Sequence, residues 1–286
     1  MTNTQNIILK ILANFPKLDK DVNQFHQNCW DGLIDLSKNI TELHDIFISS
    51  SDKSDCNFKD TFLLNAITLS MSNITTLVQN SNINAWIIRS AMLLSIRKQI
   101  ELNLMLTSLL YVKDGCLDSR LKKILESQKY TFNCDEMNID EETKKIYFSD
   151  NLDNKNFINT NKQIEFCSLF WSKDILKDKN IDLMYKATLE LFNDSSNMIH
   201  NSAFFKYFNT DKQKNEYIIE GKIQWDIGKA IHSIPWNTNT ITKKYNLDWL
   251  GNMLITLLSK DLHSMYQIQT ITMMLIKKLL NKFDKK

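Results

Sequence analysis

Arg97 and Glu101 stand four residues apart in the stretch RKQIELNLMLTSLLY, so on a helix they share a face within ion-pair reach. Their neighbours on that face are Leu93, Leu94 and Leu104. Charges in so apolar a setting must be paired and hydrogen-bonded, because a lone buried charge is prohibitive. Two readings fit: an active or binding site at the centre of a helical body, or a structural pair that fixes helix register.

A second group lies in NDSSNMIHNSAFF, where Ser196 and His200 are also four apart, on a face with Leu189, Phe192 and Ala203. Asn193, Asp194, Ser195, Asn197 and Asn201 crowd around them. Short polar side chains of this kind compete with helix backbone bonds and favour a break or a cap. A break would present His200 at a helix end, where neighbours can tune its pKa and tautomer. It would equally be a way to end a helix and nothing more. Arg97 carries five donors, more than Glu101 alone can accept. The other dense supply of acceptors on an expected buried face is the Asn193–Ser202 cluster. Docking the two faces would satisfy both, so Arg97, Glu101 and His200 are expected to converge with Ser196 beside them.

No other constellation carries as much. His26, His44, His232 and His263 lack ligand partners at metal-binding spacing, and DEMNIDEE lacks the spacing and turn glycine of a calcium loop. The cysteines (Cys29, Cys56, Cys116, Cys134, Cys167) are scattered without a C-x-x-C pair, which fits reduced thiols in a cytoplasm. No metal and no cofactor is expected.

The elements that must position these residues read as helices. Only 5 glycines and 2 prolines occur in 286 residues, with 43% hydrophobic and 24% charged residues. Tight-turned sheets and phosphate-cradling loops need glycine, so the depletion argues for a mostly helical chain and against a Rossmann or P-loop fold. A net charge of +2 excludes a global field that would draw the chain to nucleic acid. Ile7 to Leu12, Trp30 to Ile40 and Thr61 to Gln79 carry helical periodicity. The stretch Ile83 to Val112 is apolar almost all round, as a central bundle helix should be. Gly115 is expected to cap it, followed by a short charged helix at Arg120 to Lys129. The polar range 130–163 reads as an irregular insertion. Helices are expected at Ile164 to Lys177, Asp182 to about His200, and Asn246 to Phe283, the last as one helix or two. Between them, aromatic and β-branched residues around NTDKQKN predict a β-hairpin over 204–226. No signal peptide is read at the N-terminus, and no uninterrupted apolar run is expected to be long enough for a bilayer. The expectation is an all-α, single-domain helical bundle over 1–286 with a small hairpin excursion.

RKQIELNLMLTSLLY and SNMIHNS together resemble a family of uncharacterised bacterial all-helical proteins. Members pair an Arg-x-x-x-Glu helix with a Ser-x-x-x-His-x-Ser segment, matched here by Arg97, Glu101, Ser196, His200 and Ser202. That family is similar to the HEPN superfamily, helical-bundle domains of RNases in toxin–antitoxin, abortive-infection and CRISPR systems. Those RNases carry an arginine shortly before the histidine, where this chain has Asn193, Asp194 and Ser195; Arg97 would have to supply the cation from another helix. The resemblance implies an HEPN-like antiviral-defence or stress protein acting on RNA, a homodimer with a partner protein encoded nearby. In it His200 is the general acid/base, Arg97 the cation, and Ser196 and Asn197 orient phosphate oxygens. The alternative is a non-catalytic helical binding module: a sensor, an antitoxin-like partner or a complex subunit.

Overall fold

The fold is taken from a computed structural model that describes residues 3–13, 21–51, 58–79, 85–126, 136–138, 160–172, 181–199 and 248–284. Within them the chain is all-α, with eight helices: α1 (Asn3–Ala13), α2 (Val22–Ser51), α3 (Phe58–Gln79), α4 (Ala85–Tyr111), α5 (Asp114–Leu125), α6 (Thr160–Phe170), α7 (Ile181–Ile199) and α8 (Asp248–Phe283). The predicted hairpin at 204–226 lies outside the described residues.

Two helices form the axis of the body. α4 packs against α3, α6, α7 and α8, and α8 packs against α1, α2, α3 and α4. The central place expected for α4 follows from its sequence: Met92, Leu93, Ile96, Ile100, Leu104, Leu106 and Leu109 are all buried. Each such side chain contributes about 1.5–3 kcal/mol by leaving water. α8 answers with Leu258, Leu262, Met265, Ile268, Ile271, Leu275 and Leu279. α2 shows the amphipathic pattern of an outer helix. Leu33, Leu36, Ile40, Leu43 and Phe47 face inward, while Asp31, Asp35, Lys38, Glu42 and Asp45 face out.

The seam between the two axial helices is polar. Gln99, Asn103 and Thr107 recur every four residues on α4 and are fully buried. Gln99 accepts from Asn73 Nδ2 of α3 (2.9 Å) and donates to Thr272 Oγ1 of α8 (2.6 Å) and Ser70 Oγ (3.3 Å). Ser70 also donates to Gln269. Asn103 donates to the Ile268 carbonyl (3.0 Å) and accepts from Thr272 (2.6 Å). Thr107 accepts from Trp171 Nε1 (2.8 Å), which continues the ladder beyond α6. Buried amides stay in a core only when such partners are supplied. The ladder therefore fixes the axial register of α3, α4 and α8, since sliding any one helix would unpair several groups.

The junction after α4 differs from the expectation. Gly115 lies in the first turn of α5 and does not cap α4. The orphan carbonyls at a helix end need donors, and here Lys282 supplies them from the far end of α8. Its Nζ donates to the carbonyls of Leu109 (3.3 Å), Leu110 (2.9 Å) and Val112 (2.7 Å). α5 begins at Asp114 rather than Arg120, because Leu117 and Leu121 need burial and pull the whole preceding turn into the helix.

Among the described residues, two elements begin within the 130–163 range. Glu136 to Asn138 pairs with the end of α4 through an isolated antiparallel bridge, Val112 to Met137. Arg120, nearly buried, meets Glu136 there at 3.1 Å. α6 starts at Thr160, inside the expected insertion. Its polar first turn concealed the helix, whose buried face begins only at Ile164. A wider turn at Trp171 and Ser172 follows α6. α8 is one helix of 36 residues, resolving the choice between one and two.

Contrary to the reading of the apolar runs, α3 is long and apolar enough to cross a membrane by length and hydropathy, and 44% of the qualifying window is buried in the body. No charged residue occurs from Thr61 to Gln79, which raises the hydropathy. Ser70 and Asn73 on its inner face are bonded into the polar ladder.

Candidate functional site

Arg97 sits on the stripe of α4 that faces α7, not at the bundle centre. The pair with Glu101 exists, with Nε to Oε1 at 3.1 Å, but the Glu101 side chain is 50% exposed and that of Arg97 22%. This corrects the expectation of a buried pair. Leu94, Lys98 and Glu101, spaced three to four apart, form a solvent-facing stripe on a helix that read as apolar all round. Among the described residues, the arginine that is buried is instead Arg120.

The contact between the α4 and α7 faces is nevertheless made. Arg97 Nη1 donates to Ser196 Oγ. Its guanidinium carbon lies 4.3 Å from the centre of the Phe192 ring, a cation–π distance. Arg97 is thus held on three sides: by a carboxylate from its own helix, a hydroxyl from α7 and an aromatic ring one turn earlier on α7. Sequence reasoning named Phe192 only as an apolar neighbour. Its signal was its place one turn before Ser196, on the face that meets the arginine.

The serines do not break α7. Ser195 Oγ and Ser196 Oγ both donate to the Phe192 carbonyl, at 2.7 and 2.8 Å. Hydroxyls that bond back to a preceding carbonyl are accommodated inside a helix, and α7 runs on to Ile199. Ser196 therefore accepts from Arg97 while its own proton points to backbone. It can position a charge; it is not set up as a nucleophile. His200 and Ser202 lie outside the described residues. Asn197 is within α7, but its side chain is not described.

A serine–histidine contact occurs elsewhere, between His26 Nδ1 of α2 and Ser259 Oγ of α8 at 3.0 Å. Trp30 Nε1 donates to His26 Nε2 at 3.0 Å. An imidazole that accepts at Nε2 carries its proton on Nδ1 when neutral, so His26 donates to Ser259 and cannot receive its proton. Both are buried. The arrangement docks α2 on α8 and is no catalytic dyad.

Among the described residues, no three His, Cys, Asp or Glu side chains are grouped so as to hold a metal ion. Burial pushes the Cys29 thiol up to about 12 and raises Cys167 further, with a smaller opposing effect from its hydrogen bond to Thr107. Neither is an activated nucleophile. The chain matches no family model, no curated protein and no solved structure.

Proposed function

We propose that this chain is an HEPN-like helical protein of bacterial immunity or stress response that acts on RNA, as a metal-independent endoribonuclease. The observation that supports it most is the Arg97–Ser196 contact. It ties the arginine to the last turns of α7, which ends at Ile199, the residue before His200. In this reading His200 takes the proton of a ribose 2′-OH as the oxygen attacks the adjacent phosphorus. Arg97 stabilises the negative charge that develops on the phosphorane oxygens. Ser196, Asn197 and Ser202 orient the phosphate, and Glu101 completes the polar set around Arg97. The same reading carries a cytoplasmic homodimer and a partner protein encoded nearby.

The test is cleavage of labelled RNA by the purified chain in the presence of EDTA. Attack by the 2′-OH leaves 2′,3′-cyclic phosphate ends, and Arg97→Ala and His200→Ala should each lower the rate about a hundredfold or more. Far-UV circular dichroism should stay unchanged. No cleavage by the native chain on a panel of structured and single-stranded RNAs would remove the nuclease reading.

A second reading, a non-catalytic binding module, is favoured by one feature of the same contact. Arg97 is matched by Glu101 and the Ser196 proton is committed to backbone, as in a joint between helices. Under that reading Arg97→Ala lowers the melting temperature and changes no RNA chemistry.

A further inference from the structure

We infer that the Arg97 guanidinium is a pre-oriented fork for one phosphate group, with Glu101 and Phe192 as its positioning residues. The inference deepens the RNA-acting reading by naming the contact that the site makes with its ligand. Glu101 takes the Nε proton at 3.1 Å, Ser196 takes one proton of Nη1, and Phe192 lies against the guanidinium carbon at 4.3 Å. Nη2 makes no hydrogen bond among the described residues. The Arg97 side chain as a whole is 22% exposed. Three N–H groups of the planar cation therefore remain for a ligand, two on Nη2 and one on Nη1.

Parallel N–H bonds to two oxygens of one group are the strong, directional use of arginine. A phosphate supplies such an oxygen pair. Holding Nε and Nη1 in advance removes most of the rotamer freedom that a flexible arginine loses on binding. Lysine, a point charge without a fork, cannot reproduce this geometry. Glu101 is placed to aim the guanidinium at the cost of some repulsion toward the bound anion. Its carboxylate bonds Nε, so it orients Arg97 while its charge opposes the ligand.

The experiment follows the Arg97 Nε–H resonance by NMR, assigned by its loss in Arg97→Lys, during titration with inorganic phosphate. A parallel titration uses a 2′-O-methyl ribo-oligonucleotide, which cannot be cleaved. Phosphate should shift the resonance. Arg97→Lys should weaken oligonucleotide binding about tenfold. Glu101→Gln keeps the acceptor and removes the negative charge, so it should bind about threefold tighter, whereas Glu101→Ala also loses the aim of Nε and should not gain as much. Phe192→Leu should bind several-fold weaker with the helical signal retained. An unmoved resonance, native affinity in Arg97→Lys, or weaker binding by Glu101→Gln overturns the fork. If phosphate binds through Arg97 and the oligonucleotide does not, the fork stands and the RNA reading falls. If the oligonucleotide binds equally well in Arg97→Lys, the RNA reading stands and the fork falls.

Discussion

Replacing Gln99 by leucine tests whether the polar ladder specifies the bundle. Gln99 is fully buried and makes three side-chain hydrogen bonds, to Asn73, Ser70 and Thr272. Three such bonds contribute about 0.5–1.5 kcal/mol each. Their loss is uneven in its consequences. Ser70 keeps Gln269 and Thr272 keeps the Ile268 carbonyl, whereas the Asn73 amide loses its acceptor. A buried donor left unmade costs about 1–3 kcal/mol more. Leucine returns about 1.5–3 kcal/mol by apolar burial, so the net loss is about 3 kcal/mol. Urea denaturation followed by far-UV circular dichroism reads it directly, and the melting temperature should fall by about 5–10 °C. Adding Asn73→Leu removes the orphan, and the double variant should recover about 2 kcal/mol. A Gln99→Leu variant within about 1 kcal/mol of the native chain, or a double variant weaker than the sum of the singles, would refute the ladder as an energetic unit.

Lys282→Met removes the donor to three carbonyls at the end of α4; at this partly exposed site the loss should be about 2–3 kcal/mol in denaturant melts. Stability should decline on the alkaline side. Burial raises Cys29 to about 12 and Tyr266 to about 12, the latter helped by the Asp35 charge. The native state thus holds these protons more tightly than the unfolded chain. Their contribution is full below the unfolded thiol value of about 8.5 and is lost as pH climbs toward the folded values. On the acid side, burial lowers the His263 pKa, so its contribution is full above about 6.5 and fades as pH falls below it. In native alkylation at pH 8 read by mass spectrometry, Cys116, which is partly exposed, should react, while Cys29 and Cys167 should not.

Helical class and the central place of α4 were legible because glycine depletion and an apolar 3.6-residue period act locally. Contact between Arg97 and Ser196 could be reasoned from the donors of one face and the acceptors of another. Its depth could not. Leu94 and Leu104 lie on the same nominal face as Arg97, yet Leu94 is exposed and Leu104 buried, because which edge of α4 meets water depends on where α7 docks. The polar ladder was hidden for a related reason. Gln99, Asn103 and Thr107 are ordinary surface residue types, and only the approach of α3 and α8 turns their row inward. Gly115 misled because glycine marks a helix end only when no donor arrives from elsewhere, and Lys282 is distant in sequence.

The place of α8 sets a timetable for the chain as it leaves the ribosome. α4 ends at Tyr111 and α8 begins at Asp248, so the whole intervening stretch is synthesised before the second axial helix exists. Until then α4 has no partner for Asn103, no donor for its final carbonyls, and an apolar face toward water. Closure of such distant contacts is slow relative to local helix formation. A nascent chain of this kind should emerge as helical but open, and should depend on chaperones that shield apolar surface until synthesis has passed α8.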